Sequence, residues 1–199
     1  MNDKLAASQN SNFHIFPSEN FIDLCLYQYG HEKCSSGHLF GPATRNHYLF
    51  HYVLSGTGTL MAANSKGENQ TYKIHSGQGF MIFPEQITTY IADVQVPWEY
   101  VWVEFDGLRT TEILNICGFS KDAPVYTAGS AELRKKLAEE LLYISSHSDQ
   151  SSFHLIGHLY LFFDLLLQSA PSHRPAASSK MSDYYIKGSI KFIVQKFQN

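Results

Sequence analysis

Seven short runs of apolar and aromatic residues, separated by turns, occupy residues 21–105 and constrain the fold more than any other feature of this sequence. The runs cover residues 22–29, 48–54, 59–63, 71–75, 80–83, 87–92 and 98–105. Two of the turns, Ser55-Gly56-Thr57-Gly58 and Ser76-Gly77-Gln78-Gly79, contain two glycines each, which is typical of tight connections between antiparallel strands. Short strands at this spacing predict a mainly β fold, a barrel or jelly roll of about seven or eight strands.

The period of the apolar residues changes after Asp106-Gly107, and three helices are predicted beyond that point. The first helix covers residues 109–117, with Gly118 placed to end it. Ser130 is a suitable N-cap for the second helix. The apolar face of this second helix comprises Leu133, Leu137, Leu141 and Ile144.

The third predicted helix, over residues 151–169, is apolar on two faces. One stripe comprises Phe153, Ile156, Tyr160, Phe163 and Leu167. The other stripe comprises Leu155, Leu159, Phe162 and Leu166. One face can pack on the barrel and the other on a second copy of the chain, so we predict a homodimer with the second stripe at its interface. The alternative is a helix that is buried on both faces within a single chain.

Composition and helical pattern divide the chain into five segments. Residues 1–20 have the character of a mobile amino-terminal arm, and residues 171–181 are rich in Pro, Ser and Ala, as linkers are. Ser182 can cap a further helix with an apolar stripe that ends at Phe197. The predicted segments are an arm (1–20), a ligand-binding barrel (21–107), a helical dimerisation segment (108–170), a linker (171–181) and the first helix of another domain (182–199).

The formal net charge of −3 is unevenly distributed along the chain. Residues 174–199 contain five basic residues and one acidic residue, which gives +4 and leaves −7 for the rest. An acidic body does not bind the phosphate backbone of DNA by itself. A basic tail is compatible with the edge of a DNA-binding domain, and equally with an ordinary solvated helix.

The sequence predicts a cytoplasmic protein that does not bind a membrane. No apolar stretch has the length of about 18 residues that a membrane helix needs, and the first residues lack the apolar centre of a signal peptide. The three cysteines, Cys25, Cys34 and Cys117, are odd in number and show no recognisable metal-ligand spacing. A reducing compartment suits such a chain.

Several segments, in this order along the chain, resemble AraC-type transcription regulators. The matching segments are residues 48–58, 76–80, 98–107 and 184–197. Regulators of this family have an amino-terminal cupin-like barrel and a carboxy-terminal half with two helix-turn-helix motifs. Residues 37–42, together with Arg45, are similar to the raffinose and multiple-sugar regulators of Gram-positive bacteria. The resemblance implies a cupin-like jelly roll followed by two to three helices, and a chain that stops just inside the DNA-binding half.

The rival interpretation is a metal-dependent cupin enzyme that acts on a small carbohydrate. Aligned on Gly56 and Gly77, the four metal-ligand positions of such enzymes correspond to Ala43, Arg45, Leu49 and Thr88. None of these side chains is an ordinary ligand for zinc, iron or manganese. A metal would need a different set, for which His47, His51 and Glu104 are the candidates. The resemblance therefore favours a chain with no catalytic residues, no metal and no cofactor.

The same alignment implies which side chains face the barrel interior. Cupin ligand positions point inward, which turns Arg45, Leu49 and Thr88 inward, and alternation along the strands adds His47, His51, Val53 and Tyr90. Positions matching Tyr90, Tyr100 and Trp102 contact sugar in an arabinose-responsive member of the family, which has His in place of Tyr100. The predicted ligand-binding residues are Arg45, His47, His51, Thr88, Tyr90, Tyr100, Trp102 and Glu104. The alternative for Arg45 and Glu104 is an ion pair that only plugs the barrel.

The function implied by the resemblance is that of a sensor. The barrel is expected to bind a mono- or oligosaccharide effector, such as an α-galactoside, and the helices to hold a homodimer. Operator DNA is expected to be contacted only through a helix-turn-helix domain beyond residue 199. Activation of a sugar-utilisation operon is the expected outcome of effector binding.

Overall fold

The computed structural model describes residues 11–16 and 21–170. Within these residues the chain forms strands β1 (Ser11–Ile15), β2 (Cys25–Lys33), β3 (Leu39–Ala43), β4 (Tyr48–Ser55), β5 (Thr57–Ala63), β6 (Asn69–His75), β7 (Gln78–Ile82), β8 (Thr88–Ala92), β9 (Glu99–Asp106) and β10 (Val125–Thr127). The described helices are α1 (Thr110–Ile116), α2 (Ala131–Ser146) and α3 (Ser152–Gln168).

The strands form two antiparallel sheets with the strand order of a jelly roll. One sheet has the order β1-β2-β9-β4-β7-β10 and the other the order β3-β8-β5-β6. Successive strands thus cross repeatedly between the sheets, as in two nested Greek keys. The predicted mainly β, cupin-like fold followed by helices is confirmed.

The turn at Gly56 shows why a glycine is needed between β4 and β5. Its φ is +71°, in the left-handed region that favours glycine. A Cβ at this position would also lie 2.3 Å from the carbonyl oxygen of Pro97, so a larger residue meets backbone rather than a side chain that can move. The glycine signal in the sequence therefore marks a real steric requirement.

Three strands were not predicted from the sequence. β1 pairs with β2 along its whole length, although it lies within the segment expected to be a mobile arm. β3 is the edge strand of its sheet and contains Pro42, which an edge position tolerates because one side of the strand needs no partner. β10 adds three residues beside β7, at the edge of the six-stranded sheet opposite to β1. Each is short or polar, and each depends on a neighbouring strand for its backbone hydrogen bonds.

Two apolar clusters stabilise the fold. The first lies between the sheets and includes Leu49, Val53 and Tyr90, which were predicted to face the barrel interior. The second lies between the outer face of the six-stranded sheet and the helices, and it includes Phe50, Phe105 and the buried face of α3. The barrel interior and the helix-covered face are thus separate cores on opposite sides of β4 and β9.

The prediction that the second stripe of α3 forms a dimer interface is wrong. Leu155, Leu159, Phe162 and Leu166 are at most 2% exposed within the single chain. Phe162 packs on Phe50 and Phe105 of the sheet, with ring centroids 5.3 and 6.0 Å away. The outer face of the sheet and α2 together cover all of this stripe within the single chain, and of the other stripe they bury Ile156 and Phe163. The apolar side chains left on the surface of α3 are Phe153, Tyr160 and Leu161.

Some predictions lie outside the described residues. These are most of the arm (1–10 and 17–20), the linker (171–181) and the further helix (182–199). Among the described residues, no helix is long and apolar enough to cross a membrane.

Candidate functional site

Four aromatic rings from two neighbouring strands of one sheet and one strand of the other form a box inside the barrel. His51 comes from β4, Tyr90 from β8, and Tyr100 and Trp102 from β9. The His51 ring centroid lies 5.0 Å from that of Tyr90, 4.8 Å from Tyr100 and 6.2 Å from Trp102. His51 and Trp102 are directly opposite in the β4–β9 register, which brings them to the same face of the sheet.

His51 is a buried imidazole that stays neutral. Burial, followed by the positive charge of Arg45, holds its pKa well below the ordinary value of 6.5. One face stacks on Phe80 at 4.7 Å between centroids. The Nδ1 atom makes no hydrogen bond within the described part of the chain. A buried ring nitrogen without a partner is costly unless something else binds it, so Nδ1 is a ready hydrogen-bonding group for a ligand.

The two tyrosines of the box also stay neutral. Burial raises the pKa of Tyr90 and of Tyr100 above the usual phenol value, so both keep their O–H at neutral pH. The Tyr100 hydroxyl donates to Oε2 of Glu32 at 3.0 Å. Thr88 is buried two residues before Tyr90 and so shares its face of β8.

A polar group lies beside this box. Arg45 Nη1 donates to Glu104 Oε2 at 3.3 Å, and His47 Nδ1 lies 3.1 Å from Glu104 Oε1. Glu104 itself is buried, whereas Arg45 and His47 are half-buried. Two hydrogen-bonding partners on one buried carboxylate fix its direction. The ion pair that was one alternative for Arg45 and Glu104 does form.

Aromatic surfaces flank the polar group. The guanidinium carbon of Arg45 lies 5.2 Å from the centroid of Phe40, which in turn stacks on Tyr90 at 5.0 Å. The His47 ring stacks on Tyr27 at 3.6 Å. Phe40 and Tyr27 were not predicted as site residues. Phe40 lies in the unpredicted β3, and nothing in the sequence around Tyr27 marks it as close to His47.

Trp102 is half-buried, and its indole lies against Gly30 of β2. A Cβ at Gly30 would come within 2.5 Å of Cη2 and Cζ2 of the indole. Gly30 therefore provides the space into which the indole fits, which makes Trp102 an aromatic wall with one side against the backbone. Seven of the eight predicted ligand-binding residues thus fall into two adjoining groups, the aromatic box and the polar group at Glu104.

Metal-ligand side chains come together elsewhere. Among the described residues, the ligand atoms of Glu32, Cys34 and His38 all lie within 4.8 Å of one another. The alternative set predicted for a metal was His47, His51 and Glu104. Cys34 was set aside because its spacing to the other cysteines is not that of a metal site.

Comparison with known proteins identifies relatives by sequence. A family model described as an AraC-like ligand binding domain matches residues 26–178. The Msm operon regulatory protein of Streptococcus mutans serotype c is 28% identical over 174 residues, which are 86% of this chain and 60% of that protein. The raffinose operon transcriptional regulatory protein RafR of Pediococcus pentosaceus is 27% identical over 163 residues, 79% of this chain and 56% of that protein. The chain thus spans less than two thirds of the length of these two curated relatives.

Solved structures with similar strands include two other bacterial proteins. YhaK of Escherichia coli has a TM-score of 0.42 at 15% identity, over 51% of this chain and 47% of that one. Oxalate decarboxylase of Bacillus subtilis has a TM-score of 0.38 at 13% identity, over 56% of this chain and 36% of that one.

Proposed function

Because the chain belongs to the AraC-like ligand-binding domain family, we propose that it is the effector-sensing domain of a transcription regulator that controls a sugar-utilisation operon. The relatives named as regulators of the Msm and raffinose operons support this choice of pathway. In this proposal the regulator works in the cytoplasm as a homodimer and activates the operon when the effector binds. Operator DNA is contacted by a separate DNA-binding domain, since the sensing domain itself is acidic.

The observation that carries the proposal is the unpartnered Nδ1 of His51 inside an aromatic box. Sugars have apolar C–H faces that pack on aromatic rings and hydroxyls that need hydrogen-bond partners. Trp102, Tyr90 and Tyr100 supply the rings, and His51 Nδ1 supplies a partner that residues 11–16 and 21–170 leave unused. Arg45, His47 and Glu104 supply further donors and acceptors a short distance away.

The charges of the site favour a neutral ligand. Arg45 and Glu104 already compensate each other's charge, so an anionic or cationic ligand would meet no uncompensated opposite charge there. The hydroxyls of a neutral sugar can bond to the remaining donor and acceptor positions without doing so. A neutral mono- or oligosaccharide, such as an α-galactoside, is therefore the proposed effector class.

The domain senses its ligand and does not convert it in this proposal. The four positions that hold the metal in cupin enzymes correspond here to Ala43, Arg45, Leu49 and Thr88, which have no imidazole, carboxylate or thiolate. The relatives are named as regulators rather than as enzymes. An effector then acts by shifting a balance between conformations, for which differential binding is sufficient.

A thermal-shift screen of mono- and oligosaccharides, followed by calorimetry, tests this function. An effector that binds only the native state raises the unfolding temperature, and Trp102→Ala and Arg45→Ala are expected to lose binding while remaining folded. Tyr143→Ala, at a half-buried ring on α2 outside the barrel interior, is the matched control and is expected to keep wild-type affinity. No stabilisation by any sugar, or unchanged affinity in both site variants, contradicts the proposal.

A further inference from the structure

Glu32, Cys34 and His38 form a compact group of three different metal-ligand types. Their ligand atoms all lie within 4.8 Å of one another. Glu32 and Cys34 are buried, and His38 is half-buried. His38 Nε2 is 3.7 Å from Glu32 Oε1. A carboxylate, a thiol and an imidazole at such distances are a more selective combination than a cluster of acidic side chains.

The backbone holds this group in place. Glu32 and Cys34 are two residues apart at the end of β2, so their side chains share a face. The Cys34 N–H donates to the carbonyl of Trp98 at 3.1 Å, and the Ala92 N–H donates to the carbonyl of His38 at 2.8 Å. The segment that runs from Cys34 through the turn to His38 is therefore fixed at both ends to neighbouring segments of the barrel.

Groups around the three side chains are oriented to support a charged ligand set. The Tyr100 hydroxyl donates to Oε2 of Glu32 and leaves Oε1 on the side of His38. Trp98 is fully buried, and its Nε1 makes no hydrogen bond within the described part of the chain. Burial raises the pKa of the Cys34 thiol to about 12, while the Trp98 and Tyr100 side chains act in the opposite direction. The buried indole N–H is therefore a donor near Cys34 that a thiolate sulfur could use.

We propose that Glu32, Cys34 and His38 bind a divalent transition-metal ion of the zinc type, with one further coordination position left to solvent or a ligand. Zinc takes thiolate at about 2.3 Å and nitrogen or oxygen at about 2.0 Å in a tetrahedral arrangement. Ligand atoms then lie roughly 3.3–3.8 Å apart, a separation that the His38 and Glu32 atoms already have. As the metal–sulfur bond forms, the thiol proton passes to solvent, and the thiolate can accept the Trp98 N–H.

This site is distinct from the proposed sugar site but adjoins it through one residue. Tyr100 contacts Glu32 through its hydroxyl and His51 through its ring. The metal site does not depend on the sugar function, because its three ligands are not among the residues proposed to bind sugar.

Cobalt(II) titration of chelator-treated protein tests the site directly. A thiolate ligand produces a sulfur-to-cobalt charge-transfer band, so wild type is expected to bind one cobalt per chain with this band and to release it to zinc. Cys34→Ser is expected to lose the band. Cys117→Ser, at a half-buried thiol that directly follows α1, is the matched control and is expected to keep the band.

Two further variants separate the site from folding and from other histidines. His38→Asn, on the half-buried turn, is expected to stay folded by circular dichroism and to bind cobalt at least about tenfold more weakly. The double variant H154A/H158A removes a neighbouring histidine pair on α3 and is expected to bind as wild type does. Absence of cobalt and zinc binding, binding without the charge-transfer band, or binding that survives both Cys34→Ser and His38→Asn overturns the proposal.

Discussion

The chemistry of His51 is decided by the side chains around it rather than by its own position in the sequence. Phe80, Tyr90 and Tyr100 surround the ring and keep it dry, so the neutral form is favoured. A neutral imidazole has one donor and one acceptor nitrogen, which suits a sugar hydroxyl because the hydroxyl can take either role. Replacing the imidazole while keeping a ring separates these hydrogen bonds from packing.

His51→Phe is expected to keep the fold and to weaken sugar binding by about tenfold or more, since one hydrogen bond in a dry site contributes about 1.5 kcal/mol. The same change is expected to reduce acid sensitivity. The pKa of His51 is held below 6.5 in the folded chain, so below about that pH the unfolded chain binds a proton that the folded chain does not. The free energy of unfolding of the wild type therefore decreases as the pH is lowered. Unfolding temperatures at about pH 7 and about pH 5, with calorimetry at the higher pH, measure both effects.

The control for this substitution is His75→Phe, at an exposed histidine on β6. It is expected to change neither the affinity nor the pH dependence of unfolding. Equal affinity of His51→Phe and wild type for an identified effector would remove His51 from the site.

Sequence alternation correctly oriented the residues of β4, because a strand fixes every second side chain to one face. Leu49 and Val53 do lie between the sheets, and Phe50 lies on the other face. The group at Glu32 had no such signal. Glu32 and Cys34 share a face at the end of β2, but His38 lies in the following turn, where no period relates its side chain to theirs. Only the folded turn brings His38 back to Glu32.

At the scale of elements, local signals worked where the cause is local. Gly118 follows α1 with φ of +84°, and its N–H donates to the carbonyl of Asn115, as a helix-ending glycine does. Ser130 caps α2 through its side chain, which accepts from the Leu133 N–H at 3.2 Å. β1 and β10 were missed because each is a short edge strand that is held by pairing with one neighbouring strand. The burial of α3 was misjudged because its partner surface is formed by three strands far away in the chain.

Ser130→Ala is expected to lower the free energy of unfolding by about 1 kcal/mol, because the first turn of α2 loses its side-chain acceptor. Ser130→Asp keeps an acceptor at the same place and is expected to have wild-type stability or slightly more. Urea unfolding followed by circular dichroism measures both changes. A loss of stability as large in Ser130→Asp as in Ser130→Ala would show that the hydroxyl has another role.

At the scale of the whole molecule, one face of the six-stranded sheet carries the proposed ligand site and the other packs on the helices. β4 and β9 belong to both: His51 and Trp102 face the barrel interior, while Phe50 and Phe105 pack on α3. A ligand that shifts β4 or β9 therefore also shifts the surface on which α3 packs. This arrangement gives a short mechanical route from effector to helix surface, with the two faces of the same strands as its two ends.

The exposed side of α3 is the surface that this route reaches, and we expect it to form the homodimer. Phe153 is 77% exposed, Tyr160 49% and Leu161 52%, and they flank Gly157, which lets a second helix approach closely. Each apolar side chain buried there contributes roughly 1.5–3 kcal/mol. F153E/L161K is expected to be a folded monomer that still binds the effector, because neither residue touches the barrel interior. Light scattering over a range of concentrations measures the mass.

Substitution of the buried stripe separates this surface from the interface first predicted. Leu159→Glu, in the core, is expected to unfold the chain rather than to release a monomer, since it leaves a charge buried without a partner. Lys135→Glu, on the exposed side of α2, is expected to leave the mass unchanged. It controls for the effect of placing a new surface charge on a helix. A monomeric wild type at high micromolar concentration contradicts the dimer itself. A dimer that persists in F153E/L161K contradicts this surface, and the contact between copies must then be sought on the exposed edge formed by β1.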